Sequence, residues 1–192
     1  MIISIVGLSG SGKSLIARTL ESYNQHILHV DIDKIGHSSH HDPMVKQKLI
    51  NTFGEDILTN GEIDRKKLGH IVFNSKEAMQ QLEYITWSFM EQQIDQIINN
   101  NPNKIILLDW LLLPRTKFFY TSDIRLLVTA PLEVRMERAI KRDRITKKTF
   151  LERESSAPEI DETQFEYIIN NVNLLETQER VKSIYDKSII HR

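Results

Sequence analysis

The densest chemistry in the chain is the eight-residue run Gly7-Leu8-Ser9-Gly10-Ser11-Gly12-Lys13-Ser14, which matches G-x-x-x-x-G-K-[ST] at every defined position. Glycines let a backbone wrap closely around a phosphate without side-chain clashes. Successive N–H groups then point inward, and the start of the following helix adds partial positive charge. In such a loop Lys13 reaches the β- and γ-phosphates of ATP, and the Ser14 hydroxyl meets Mg²⁺. A glycine-rich turn that merely joins a strand to a helix would explain the glycines, but not a lysine and a serine at these two positions. The motif therefore points to a nucleotide and leaves the reaction open.

Carboxylates and cations elsewhere can complete the chemistry. Asp31 and Asp33 stand at the end of a predicted second strand over 27–32. Residues two apart on a strand face one side, and ligands in open parallel sheets sit at the carboxyl ends of strands. Both carboxylates are thus expected to look into one cleft, where one can accept a proton from a substrate hydroxyl or hold Mg²⁺ through water. Neighbouring carboxylates often divide into a reactive and a supporting group, and Asp33 is the favoured reactive one. A solvated strand-end pair or a helix cap is the plainer reading. Asp109 closes the apolar run Ile105–Leu108. It suits a magnesium or water ligand and, equally, a cap for the following loop. Arg138, Arg142, Arg144, Lys147, Lys148 and Arg153 lie in and after a predicted helix that follows the fourth strand. Mobile cations there would stabilise charge moving among phosphate oxygens, with Arg142 the best single candidate. A solvated basic face is the alternative. His37, His40 and His41 lack the further ligands a metal would need and read as surface or substrate-side groups. Trp87 and Trp110 read as buried aromatics rather than pocket walls.

Positioning these groups requires a sheet wrapped by helices. Short apolar runs at 2–6, 27–32, 105–108, 124–129 and 167–170 read as strands, and helical patterns separate them. Helices are expected over 14–22, 42–53, from Asp64 as N-cap to Phe73, over 75–99, from Pro131 to about 142, and over 175–187. Asn60-Gly61 marks a turn. The alternation predicts an α/β chain with a mostly parallel five-stranded sheet. A length of 192 residues suits one compact domain, and 40% hydrophobic with 27% charged residues is ordinary for a globular protein. The net charge of −1 argues against a general nucleic-acid binder. The chain has no cysteine, which removes disulfide and thiolate chemistry. The N-terminal apolar run is too short for a signal peptide. The apolar stretch 105–114 is interrupted by Asp109 and falls short of the roughly 18 residues a membrane span needs. A cytoplasmic protein without membrane attachment is expected.

Beyond the loop, much of the chain resembles the dephospho-coenzyme A kinase family. Asp31-Ile32-Asp33-Lys34-Ile35-Gly36-His37 resembles the family's Asp-x-Asp-x-x-x-His signature. Phe53-Gly54-Glu55-Asp56-Ile57-Leu58, Gly61-Glu62-Ile63-Asp64-Arg65 with Lys66 to Gly69, Val72-Phe73 and Leu82-Glu83-Tyr84-Ile85 resemble its substrate-side helical region. Arg138, Arg142 and Arg153 fall at its lid arginines, and Ile169-Asn170-Asn171 resembles the Ile-x-Asn strand near the adenine. The resemblance implies a three-layer P-loop kinase fold over 1–192 as a single domain, with a helical substrate-side insertion at about 35–100 and a basic lid at about 142–157. It implies transfer of the ATP γ-phosphate to the ribose 3′-hydroxyl of dephospho-coenzyme A, by a monomer or weak homo-oligomer. The implied catalytic groups are Asp33, Lys13 and Arg142. Gly7, Ser9, Gly10, Ser11, Gly12, Ser14, Leu15, Arg138 and Asn171 would join Lys13 around ATP and its Mg²⁺. Asp31, His37, Arg65 and Asp109 would line the acceptor side. The entry to the phosphate loop is shorter than the family's glycine-rich one, and the sequence departs from the family pattern in three further places. Trp87-Ser88 stands for His-Pro, Asp109 to Arg115 lacks the proline and glutamate of Asp-x-Pro-Leu-Leu-x-Glu, and Phe165-Glu166 replaces Ala-Asp before the last strand. The Trp87-Ser88 and Asp109 to Arg115 departures lie toward the acceptor. A kinase for a nucleoside, nucleotide or other small alcohol is one alternative, and an ATP-binding regulator without turnover is another.

Overall fold

The computed structural model describes residues 1–190 and divides into two compact units. The first contains residues 1–31 and the chain from Asn103 onward, and the second is Ile32–Pro102. In chain order, the first unit opens with β1 (Ile2–Val6), α1 (Lys13–Tyr23) and β2 (Ile27–Asp31). The second unit is α2 (Ile32–Ser38), α3 (Pro43–Phe53), a hairpin of β3 (Leu58–Thr59) and β4 (Glu62–Ile63), α4 (Arg65–Phe73) and the long α5 (Lys76–Asn100). The first unit resumes with β5 (Ile105–Asp109), α6 (Lys117–Tyr120), β6 (Ile124–Thr129), α7 (Leu132–Asp143), α8 (Lys147–Ser155), β7 (Tyr167–Asn170) and α9 (Leu174–Ile184). A π-helical turn over Tyr185–Ile189 follows α9.

The first unit is built on a five-stranded sheet of order β2-β5-β1-β6-β7, in which every pairing is parallel. Ile3, Ser4, Ile5 and Val6 of the central strand are all fully buried, as a strand covered on both faces must be. On one face Ile16, Ala17 and Leu20 of α1 and Val181 and Ile184 of α9 pack against Ile3, Ile5, Leu126 and Val128. The arrangement is the expected three-layer α/β sandwich. Register pairs Asp31 with Asp109 and Asp109 with Ile5, so the carboxyl ends of β2, β5 and β1 finish level. The chain leaves β1 between strands it reaches only later, which is where open sheets of this kind place ligands.

The second unit packs Val45, Leu49, Ile57, Leu68, Val72, Ala78 and Ile85 into its own core. Its helices start where capping residues are available. Asp42 accepts from the Met44 and Val45 N–H groups, Asp64 from those of Lys66 and Lys67, and Ser75 from that of Ala78. The hairpin turns on Asn60 and Gly61, both with positive φ, which two-residue loops of this twist require.

Two expectations are corrected. β2 stops at Asp31, and Ile32 begins α2, so Asp31 and Asp33 do not share a strand face. Asp33 sits in the first turn of a helix instead, and its placement follows from that turn rather than from strand alternation. The closing helix is α-helical only to Ile184 before the π turn takes over. Among the described residues no helix is long and apolar enough to cross a membrane.

Candidate active site

The loop between β1 and α1 depends on glycine for specific steric reasons. Gly10 and Gly12 have φ of 79° and 97°, a region side chains avoid. A Cβ on Gly10 would lie 2.2 Å from the Arg135 carbonyl oxygen, and one on Gly12 would lie 2.0 Å from Asn171 Nδ2. A Cβ on Gly7 would meet the Val128 carbonyl oxygen at 2.4 Å. The loop is thus pressed against α7 on one side and the end of β7 on the other. Lys13 Nζ donates to the Gly7 carbonyl at 2.7 Å, which holds its ammonium across the loop. Ser11 is fully buried, and its Oγ has no hydrogen-bond partner among the described residues. A buried hydroxyl of this kind needs an acceptor, and a phosphate in the loop provides one. Asn171, 2% exposed, braces the loop by donating from Nδ2 to the Ser11 carbonyl at 2.8 Å.

Ser14, on the first turn of α1, donates to Asp109 Oδ2 at 3.3 Å. The same oxygen lies 3.2 Å from His29 Nε2. Behind His29, Glu21 accepts from its backbone N–H at 3.1 Å. Asp109 is buried and ends β5 beside Asp31, its register partner. Ser14 and Asp109 offer hard oxygen donors, a set that fits Mg²⁺. His29 was not indicated by the sequence, because a single histidine inside a strand carries no spacing signal.

Cations from α1 and α7 flank the loop. Gly10, Gly12, Lys13, Ser14 and Leu15 form one wall of a cleft of about 490 Å³. Arg138 and Arg142 line it, and Arg18 and Lys141 line it too. Lys141 opens the basic segment that runs to Arg153, whereas Arg18 carries no signal in the sequence, being one exposed cation on an amphipathic helix. Arg138 Nη1 donates to the Asn171 carbonyl at 2.9 Å, and Arg142 Nη2 to Ser9 Oγ at 3.4 Å. Arg142 also donates to both Asp143 carboxylate oxygens, at 2.7 and 2.9 Å. That hydrogen bonding, with the charges of Arg142 and Arg153, holds the Asp143 carboxyl below its usual range despite partial burial. Arg153 reaches Asp143 at 3.6 Å, and Lys148 lies 3.9 Å from Glu152 along exposed α8. Neither lines the cleft.

The second unit carries Asp33, His37 and Arg65. Asp33 and His37 are exposed at opposite ends of α2, and Arg65 is the exposed first residue of α4. Burial pushes the His40 imidazole below its ordinary pKa, and the charges of Arg65, His41 and His37 push it the same way.

A family model described as dephospho-CoA kinase matches residues 1–176. The chain belongs to the dephospho-CoA kinase family. A dephospho-CoA kinase of Aquifex aeolicus is 34% identical over 191 residues, covering 96% of each chain. The crystal structure of TT1252 from Thermus thermophilus superposes with a TM-score of 0.84 at 26% identity, covering 98% of this chain and 97% of that one. A dephospho-CoA kinase from Campylobacter jejuni shares the fold, with a TM-score of 0.62 at 22% identity over 97% of this chain and 96% of its own. Within that family the enzyme is a phosphotransferase. One departure from the family pattern has a structural explanation. Glu166 accepts from the Arg125 backbone N–H at 2.7 Å and from its Nε at 3.1 Å, tying β6 to the entry of β7. Phe165 packs edge-on against buried Phe119, with centroids 5.2 Å apart. These contacts serve sheet assembly. Trp110 is 6% exposed, a core position.

Proposed function

We propose that the chain transfers the γ-phosphate of ATP to the ribose 3′-hydroxyl of dephospho-coenzyme A, giving coenzyme A and ADP. The observation that carries this reading is a braced phosphate loop with Lys13, Arg138 and Arg142 around one cleft, in a chain that matches dephospho-CoA kinases along nearly its whole length. Gly7, Ser9, Gly10 and Gly12 would offer backbone N–H groups to the phosphates and Ser11 its buried hydroxyl, since the Ser11 N–H donates to the Leu8 carbonyl at 3.1 Å, with Leu15 and Asn171 beside them. Lys13 and Arg142 would steady the phosphates and offset the negative charge that shifts among their oxygens during transfer, where positioned cations act most strongly. Ser14 and Asp109 would hold Mg²⁺, which would supply positive charge to neutralise the phosphates. Asp33 would accept the proton of the 3′-hydroxyl, with Asp31 supporting it. His37 and Arg65, both exposed on the second unit, would bind the acceptor.

In this reading residues 1–192 act as one catalytic domain, with about 35–100 serving the acceptor and about 142–157 covering the phosphates. Excluding water during transfer would limit wasteful hydrolysis. The enzyme would work in the cytoplasm as a monomer or weak homo-oligomer, without nucleic-acid or membrane partners. Trp87-Ser88 and Leu111 to Arg115, which depart from the family on the acceptor side, favour as second reading a kinase with a different small alcohol acceptor. A coupled ADP-release assay with Mg-ATP separates the two. Release that requires dephospho-coenzyme A supports the proposal, whereas release with nucleosides but not with dephospho-coenzyme A refutes it. ATP binding without release on any acceptor would indicate a regulator.

A further inference from the structure

Arg135, on α7, is 7% exposed, and its guanidinium ties together three stretches of the first unit. Its Nη1 donates to the Ser9 carbonyl at 3.4 Å and its Nε to the Ala130 carbonyl at 3.1 Å. The outer edge of the fork grips Glu154 of α8, through Nη1 to Oε2 at 2.8 Å and through Nη2 to Oε1. The Arg135 main chain also closes on the loop, since its carbonyl oxygen would stand 2.2 Å from a Cβ on Gly10. We propose that Arg135, anchored by Glu154, is a positioning residue for the phosphate loop that fixes the Ser9–Gly10 peptide with its N–H toward bound phosphate.

The argument rests on peptide geometry. A peptide unit is planar and trans, so its C=O and N–H point in opposite directions. Drawing the Ser9 carbonyl toward Arg135 turns the Gly10 N–H away from α7. Left alone, a glycine-rich loop can flip such a peptide at little cost, because glycine occupies both halves of backbone space. A fixed donor attracts an anion more than one that must first reorient. Glu154 matters because a buried guanidinium is stable only when paired, and a bidentate carboxylate also sets its orientation. Two helical turns further along α7, Arg142 Nη2 reaches Ser9 Oγ at 3.4 Å. The helix thus holds both the main chain and the side chain of Ser9. The effect should fall on the nucleotide and not on the acceptor.

The inference rests on the functional reading above, that the loop binds ATP. Its test uses the full chain and an ATP analogue with a non-transferable γ-phosphate, titrated calorimetrically, together with KM for each substrate. Arg135→Lys keeps the charge but loses the fork, and Glu154→Gln keeps the anchor's shape but loses its charge. The expected result is a rise in analogue Kd of about tenfold for Arg135→Lys, equivalent to ~1.4 kcal/mol, and of about threefold for Glu154→Gln. KM for dephospho-coenzyme A should stay within about twofold in both, on the same scale. An analogue Kd within about twofold of wild type in both variants overturns the assignment, as does an equal rise in both KM values, the sign of general loosening. Should Arg135→Lys fail to fold, Glu154→Gln decides alone by the same thresholds. A wild type that does not bind the analogue at all would sink the functional reading itself, a different result from unchanged variants.

Discussion

Replacing Gly12 by alanine places a methyl carbon 2.0 Å from Asn171 Nδ2, in a backbone conformation with φ of 97°. Two costs follow. Holding a non-glycine residue in that region costs about 1–3 kcal/mol. Asn171 cannot swing aside freely, because it is buried and donates to the Ser11 carbonyl at 2.8 Å while its Oδ1 accepts from Thr177 Oγ1 at 3.3 Å. Losing one such buried hydrogen bond adds about 1 kcal/mol. The sum, about 2–4 kcal/mol, has two outlets. If the fold absorbs it, Tm falls by roughly 4–16 °C for a chain of this size. If the loop relaxes instead, ATP affinity falls by a factor of roughly 30 to 1,000. Differential scanning calorimetry with and without nucleotide, beside an ATP titration, captures both outlets. A Gly12→Ala protein with Tm within about 2 °C of wild type and Kd within about threefold would refute the steric account.

Lys13→Ala should lower kcat/KM by about 10²-fold or more, because charge developing on the phosphates loses a fixed partner, and a change under about threefold would count against this loop as the active one. Asp33→Asn should lose most of the transfer rate while ATP affinity, measured by calorimetry, stays near wild type; near-normal turnover would sink the base assignment. Asp143 has a depressed carboxyl pKa, first through hydrogen bonding to Arg142. Its stabilising contribution is therefore complete above the unfolded carboxylate value near about 3.9 and is lost as pH falls through the folded value. Between neutral pH and about pH 3, Tm of wild type should fall more steeply than Tm of Asp143→Asn, and parallel curves would remove the interaction from the account. Leu49, fully buried in the core of the second unit, should cost about 2–5 kcal/mol when cut to alanine, read by denaturant unfolding. A loss under about 0.5 kcal/mol would contradict the packing described.

The parts of the fold written in local pattern were legible. β6 spans Ile124–Thr129 as the apolar run predicts, α4 starts on Asp64 as N-cap, and Asn60-Gly61 makes the hairpin turn. Where two patterns overlap, the reading slipped. Val30-Asp31-Ile32-Asp33 alternates like a strand, and the seven-residue α2 is too short to show a helical period against it. The phosphate loop was readable because its chemistry is consecutive. Its supports were not. Arg135 and Glu154 are 19 residues apart, and His29 and Asp109 are 80 apart, so only the folded chain pairs them. Arg135 also sits in a basic helix, where a structural guanidinium and a phosphate-binding one look alike in one dimension. Phe165-Glu166 reads as a lost family signature until the Arg125 and Phe119 contacts show its role in joining strands.

Product analysis tests the central claim most directly. The enzyme is incubated with Mg-ATP and dephospho-coenzyme A, and the organic product is examined by mass spectrometry and phosphorus NMR. The account predicts a single added phosphate, esterified at the ribose 3′ position, with ADP in equal amount. ADP formed without any phosphorylated coenzyme product, or a phosphate attached elsewhere on the acceptor, would contradict it.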